Sequence, residues 1–186
     1  MTTTALRGAR AGCGSVPTME AESTRTRSTR TRPTSMVALA VSVLAVVAVS
    51  AIGGLASSNS AEEYGRLQQP AFAPPSWVFG PAWTLLYGLM AIAAWLVWRT
   101  GPSPETRRAL TLYAIQLVLN AAWTPLFFGL GWRGIAFFEL CALLLVLLLT
   151  VVMFWRRSAV AGALLLPYLA WSVFALCLNF AVWQLN

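Results

Sequence analysis

Three tryptophans, Trp83, Trp123 and Trp171, stand in apolar runs, each with a phenol or a carboxamide at helical spacing beside it. Gln116, Asn120, Trp123 and Phe127 follow i, i+4, i+7, i+11, so they share one face of a helix. Trp83, Tyr87, Met90 and Ala94 align in the same way in an earlier run, and Tyr168, Trp171, Ala175 and Asn179 in a later one. Three faces that are each aromatic and each carry an amide or hydroxyl suggest a shared interior cavity. The chemistry of such a cavity is binding, by ring faces and a few hydrogen bonds. The competing reading is that these Trp and Asn residues only pack and hydrogen-bond a helix bundle, which is common in membranes.

Glu139 stands alone as a carboxylate inside an apolar run. Such a group at membrane depth costs about 3 kcal/mol unless it faces protein or water. It is therefore neutralised, paired, or turned to a wet pocket. Arg133 is six residues away and off the same helical face, so a partner on another helix is expected. Two roles stay open for Glu139: a polar tie between helices, or a pocket wall or proton-accepting group.

Nothing else in the chain resembles a reactive centre. There is no histidine, which excludes a histidine zinc site, a histidine general base and a histidine-ligated haem. No nucleophile–base pair, phosphate loop or metal cluster is present. Cys13, Cys141 and Cys177 are far apart, with no CxxC and no disulfide framework, and read as buried free thiols.

The elements that must position these residues are membrane helices. At 58% hydrophobic and 10% charged, the 186 residues do not have the composition of a soluble domain. Apolar spans are expected at about 36–57, 80–99, 108–129, 134–155 and 160–183, giving an all-α, five-transmembrane-helix bundle. Each has about 20 residues or more, enough at about 1.5 Å per residue to cross a hydrocarbon core near 30 Å. The first could instead be a signal peptide, but its apolar region is long for one and it reads as a retained helix. Residues 1–35, with six arginines and two glutamates among many Thr and Ser, form an expected disordered tail before a domain at 36–186. A polybasic arm touching anionic headgroups is the alternative for that tail, and Met19 and Met36 are alternative starts.

All thirteen basic residues are arginine. With the amino terminus inside, eleven fall on the inner side and only Arg66 and Arg133 on the outer, which the positive-inside rule favours. The carboxy terminus is then external, and the charge reflects topology rather than affinity for nucleic acid. Trp98 and Trp155 fit an inner aromatic belt; Trp77, Trp132 and Trp183 fit an outer one. Trp83, Asn120, Trp123, Glu139 and Asn179 all fall in the outer half, with Trp171 near mid-membrane. Over that half folds the segment Tyr64–Tyr87, whose four prolines forbid a continuous helix until one starts at Pro81.

Three stretches carry a likeness. They read Y-x-x-L-Q-x-P-x-F-x-P-P-x-W-V-F-G-P-x-W-x-x-L-Y from Tyr64 to Tyr87, Q-L-x-L-N-x-x-W-x-P-L-F-F-G from Gln116 to Gly129, and P-Y-L-A-W-x-x-F-x-x-x-L-N-x-x-V-W from Pro167 to Trp183. In these the chain resembles the TspO/MBR translocator proteins, the tryptophan-rich sensory proteins related to the peripheral-type benzodiazepine receptor. The resemblance spans residues 36–186. It implies a five-helix bundle, usually dimeric, with a pocket for porphyrins, haem precursors, benzodiazepine-type drugs and, in animal members, cholesterol. By position it makes Tyr64, Trp83, Trp123 and Trp171 the pocket aromatics, with Asn120 and Ala175 beside them. Tyr87, Phe127 and Glu139 join them as candidate ligand-binding residues. Trp83 and Trp171 match the tryptophans implicated in light-dependent porphyrin breakdown by bacterial members, and would be the catalytic pair if that activity holds.

The expected function is therefore an integral membrane tetrapyrrole-binding translocator or sensor, with porphyrin degradation as the alternative and a scaffold or stress regulator acting through the tail as a third reading. No cofactor is required. The expected partners are porphyrin or another flat hydrophobic molecule, the lipid bilayer and a second copy of the chain, not nucleic acid; the expected location is a bacterial plasma membrane. Arg66, Gln68 or Arg133 at the mouth could meet the propionates. The chain also departs from the family. Glu63 stands where many members have tryptophan, Phe180 replaces the tyrosine of the cholesterol motif with no basic residue after it, and Thr111 and Ile115 replace a G-x-x-x-G pair.

Overall fold

The computed structural model describes Ala40, as a helical residue, and residues 60–186. The tail expected at 1–35, most of the first span expected at 36–57, and Cys13 lie outside the described residues. The rest is helical, without a strand among the described residues. A short helix α1 (Ser60–Arg66) is followed by an extended Pro-rich loop and a single 3-10 turn (Ser76–Val78). Then come α2 (Phe79–Arg99), α3 (Pro104–Thr124) with a π-helical extension over Pro125–Gly129, α4 (Arg133–Arg157), α5 (Ala159–Leu164) and α6 (Leu166–Leu185). Among the described residues four spans are long and apolar enough to cross a membrane: Ser76–Arg99, Pro104–Gly129, Arg133–Arg157 and Ala159–Leu185. They match the last four expected from the sequence.

The helix boundaries follow from local chemistry. Helix α2 starts at Phe79, two residues before the expected Pro81, because a proline is harmless anywhere in the first turn, where the amides have no intrahelical acceptor. Ser103 caps α3, its Oγ accepting from Thr106 N–H at 3.1 Å with Pro104 at the first helical position. Ser158 caps α5 by accepting from Ala161 N–H at 3.3 Å. The last span is interrupted next to Pro167, where a bend was expected: α5 ends in a tight turn at Leu165, whose N–H donates to Gly162 O at 3.1 Å, and α6 begins afresh. The tight α3–α4 turn needs Gly131, whose φ of +66° is a region L side chains rarely adopt.

Facing apolar stripes close the bundle. Leu86, Met90, Ala94 and Val97 of α2 and Leu140, Leu143, Leu147 and Phe154 of α4 share one buried cluster with Tyr113, Leu165 and Tyr168. Helix α4 packs along both α3 and α6, and α2 along α3 and α5, whereas α3 and α6 are not in close helix-to-helix contact. The arginines segregate as expected: Arg99, Arg107, Arg108, Arg156 and Arg157 sit at one end of these helices, and Arg157 donates to Thr100 Oγ1 at 2.9 Å across that end. Cys141 and Cys177 are free thiols, but neither is buried as expected: Cys141 is half-buried and Cys177 is exposed on α6.

Gly162 marks the tightest approach, where α5 doubles back on the last turn of α4. A Cβ there would fall 2.6 Å from Trp155 Cε3 and 2.9 Å from Trp155 Cα. Gly162→Ala is expected to cost about 1–3 kcal/mol and to lower the melting temperature in detergent accordingly. Trp155→Ala in the same chain should restore only part of it, since the Cα remains; full restoration would place the clash elsewhere.

Candidate ligand-binding site

The site is built from a lid and three helix faces. Tyr64, on α1, is buried and donates from its phenol to Pro74 O at 3.1 Å, closing the Pro-rich loop on itself. Burial raises its phenol above the ordinary tyrosine range, so it stays a donor. Gln69 Nε2 donates to Tyr64 O at 2.6 Å from the other side of the loop. Proline has no N–H and a fixed φ, so these side-chain bonds replace backbone pairing in holding the segment.

From the lid an unbroken line of rings runs inward. Tyr64 meets Phe79 edge-on at 5.4 Å between centroids, Phe79 meets Trp171 at 5.9 Å, Trp171 meets Trp83 at 6.5 Å, and Trp83 lies over Tyr87 at 5.1 Å. These spacings fall in the range where aromatic quadrupoles attract. Phe174, beside Trp171 at 5.6 Å, reaches Phe72 of the lid at 6.4 Å. On the α3 side Trp123 stacks on Phe127 at 4.9 Å with an interplanar angle of 23°. The π-helical turn puts Phe127 there. Pro125 cannot donate into the helix before it, the turn widens so that Leu130 N–H reaches Pro125 O at 2.9 Å, and Phe127 is buried beside Tyr64, Ala136, Leu178 and Val182.

Two hydrogen-bonded layers each include a bond between α3 and α6, which are not closely packed on one another. In the deeper one Tyr87 OH donates to Asn120 Oδ1 at 2.8 Å and Asn120 Nδ2 donates to Tyr168 OH at 3.1 Å, joining α2, α3 and α6. In the shallower one Trp123 Nε1 donates to Asn179 Oδ1 at 3.2 Å, and Asn179 Nδ2 donates to Arg133 O at 2.9 Å. The carboxamides of α3 and α6 thus span a gap that backbone packing leaves open.

Of the residues expected here, Tyr64, Trp83, Tyr87, Asn120, Trp123, Phe127 and Trp171 join these linked rings and hydrogen bonds, and Ala175 packs against the adjoining core. Glu139 joins neither layer. Its carboxylate oxygens are buried and have no hydrogen-bond partner, so the partner expected on another helix is not found among the described residues. Gln116 shares the α3 face but its fully buried amide is likewise unpartnered, as is the Tyr113 hydroxyl one turn away. Of the mouth residues, Arg66 pairs with Glu62 at 2.6 Å, while Gln68 N–H donates to Asn186 Oδ1 and its carbonyl accepts from Asn186 Nδ2, both at 3.0 Å. Phe79 and Phe174 are ring contacts that the sequence reading missed, although Phe79 stands four residues before Trp83 and Phe174 three after Trp171, on the same helical faces. Among the described residues no group of three metal-ligating side chains occurs.

The fold and this site define a polytopic α-helical membrane protein with an aromatic face under a Pro-rich lid. Residues 41–184 match the model of the TspO/MBR family, and the chain belongs to that family. It is 42% identical over 144 residues to the tryptophan-rich protein TspO of Archaeoglobus fulgidus, covering 75% of this chain and 93% of that one. It is 40% identical to the translocator protein of Sus scrofa, covering 74% and 86%, and 39% identical to protein CrtK of Rhodobacter capsulatus, covering 66% and 78%.

Proposed function

We propose that this protein is an integral membrane tetrapyrrole-binding translocator or sensor, with its ligand taken between the Tyr64 lid and the Tyr87–Asn120–Tyr168 layer. The observation that carries the reading is the continuous ring path Tyr64–Phe79–Trp171–Trp83–Tyr87 ending on a hydrogen-bonded carboxamide. A porphyrin is a flat apolar ring with acidic propionates, which indole faces stack on and a mouth cation such as Arg66 neutralises. With no histidine in the chain, metal-free porphyrin is the ligand best matched. The arginine distribution supports an amino terminus in the cytoplasm and a lid outside; a bacterial plasma membrane is the proposed location. Titration with protoporphyrin should quench tryptophan fluorescence saturably. Unchanged affinity after Trp83→Ala with Trp171→Ala would refute the site.

A second reading, oxidative breakdown of the bound porphyrin in light, is favoured by Trp83 and Trp171 standing 6.5 Å apart along the same path. Illumination in air should bleach bound protoporphyrin with saturation kinetics. Trp83→Phe or Trp171→Phe should slow product formation by about tenfold while changing Kd much less, a split that separates reaction from binding. Equal bleaching of porphyrin in empty detergent micelles would remove the activity.

A further inference from the structure

We infer that the seam between the lid and the outer ends of α4 and α6 is a binding site for the headgroup of an anionic phospholipid, held by Arg133. An open groove of about 390 Å³ lies there, lined by Gly131, Trp132, Arg133, Gly134, Ile135, Trp183 and Asn186. It is separate from the ring path. Arg133 brings its one full charge, and that charge is poorly met. The guanidinium Nε is buried without a partner, and the nearest carboxylate, Glu63, is 3.9 Å away, beyond hydrogen-bond reach. A half-buried guanidinium in this state gains most from an oxyanion that can take two of its donors.

The surroundings select an amphiphile rather than a free ion. Trp132 and Trp183 are partly exposed beside Arg133, at the level where indoles mark a membrane–water boundary. Below them Ile135, Phe138 and Phe180 expose a continuous apolar strip on α4 and α6, suited to an acyl chain. Gly134 shapes the floor: a Cβ there would lie 3.0 Å from Trp183 Cε2, so its absence lets the indole lie flat on α4.

The same groove touches the closure of the lid. Glu63 of α1 is the competing partner of Arg133, and Asn186, which clasps Gln68 of the lid, forms part of the groove wall. A phosphate on Arg133 takes the place of Glu63 and loosens the long-range charge attraction between α1 and α4. Glu63 thereby makes lid closure sensitive to the lipid. The lipid site stands whether or not the interior takes a porphyrin.

Native mass spectrometry of the delipidated full-length protein tests this, titrating phosphatidylglycerol against phosphatidylcholine of the same acyl chains. The wild type should retain one phosphatidylglycerol about tenfold more tightly than phosphatidylcholine. Arg133→Gln should erase that difference, Arg133→Lys should keep part of it, and Glu63→Gln should increase it several-fold, a gain that misfolding cannot produce. Equal retention of both lipids by the wild type, or a preference unmoved in Arg133→Gln, overturns the proposal. So does a Glu63→Gln chain without a gain, or displacement of the lipid by millimolar inorganic phosphate.

Discussion

Removing both central indoles, Trp83→Ala with Trp171→Ala, should weaken protoporphyrin binding by about 30- to 1,000-fold in Kd, or about 2–4 kcal/mol. The two rings are adjacent members of one path, 6.5 Å apart, and each braces the other against neighbours: Trp83 on Tyr87 and Tyr168, Trp171 on Phe79 and Phe174. Truncating one leaves its partner free to tilt into the space, so each single variant should lose less than half of the total. Because residues in contact couple, the single effects should not sum to the double. The double variant lacks two of nine tryptophans, so porphyrin absorbance must accompany the fluorescence readout. Trp98→Ala, an exposed indole at the far end of α2, should leave Kd unchanged. A double variant that binds like the wild type would place the ligand elsewhere.

Asn120→Leu should lower stability by about 1–3 kcal/mol and the melting temperature in detergent by about 3–10 °C. Asn120 is buried and uses both ends of its carboxamide, accepting from Tyr87 and donating to Tyr168. Interhelical hydrogen bonds in membranes average near 0.6 kcal/mol and reach about 1.7, so two of them set the scale. Leucine has the same branching and the same number of heavy atoms and is the bulkier side chain, which removes cavity formation as the cause. Tyr168 is fully buried and would lose the amide that donates to its phenol. Tyr87→Phe should cost less than half as much, since the Asn120–Tyr168 bond survives. Combined with Asn120→Leu it should add little. Strict additivity of the two would show that the layer does not act as a unit.

Much of this site could be read without coordinates. The i, i+4, i+7 spacing on three apolar runs placed Asn120, Trp123 and Phe127 together, Trp83 with Tyr87, and Tyr168 with Trp171. All of them lie along the observed ring path and hydrogen bonds. Pro167 announced the break in the last span, and the helix is interrupted beside it. What periodicity could not give is pairing between helices. The same α3 face holds Asn120, which finds two partners, and Gln116, which finds none, though both are carboxamides four residues apart. Glu139 shows the same limit: the cost of a lone carboxylate was legible, but its lack of a partner among the described residues was not.

The sequence by itself determined that this chain is helical and membrane-spanning, and which side of each helix carries the aromatic and amide groups. Those properties are local: apolar length, a 3.6-residue period, and prolines that fix where helices start or bend. Tertiary structure alone decided that the backbones of α3 and α6 stand apart and that Asn120–Tyr168 and Trp123–Asn179 hydrogen-bond across between them. It also decided that a widened turn at Pro125 buries Phe127, and that Glu63, an apparent loss from the lid, faces Arg133 across a groove. The reason is physical. A helix face is set by its own few turns, whereas a hydrogen bond across a gap depends on where the rest of the bundle holds both of its ends.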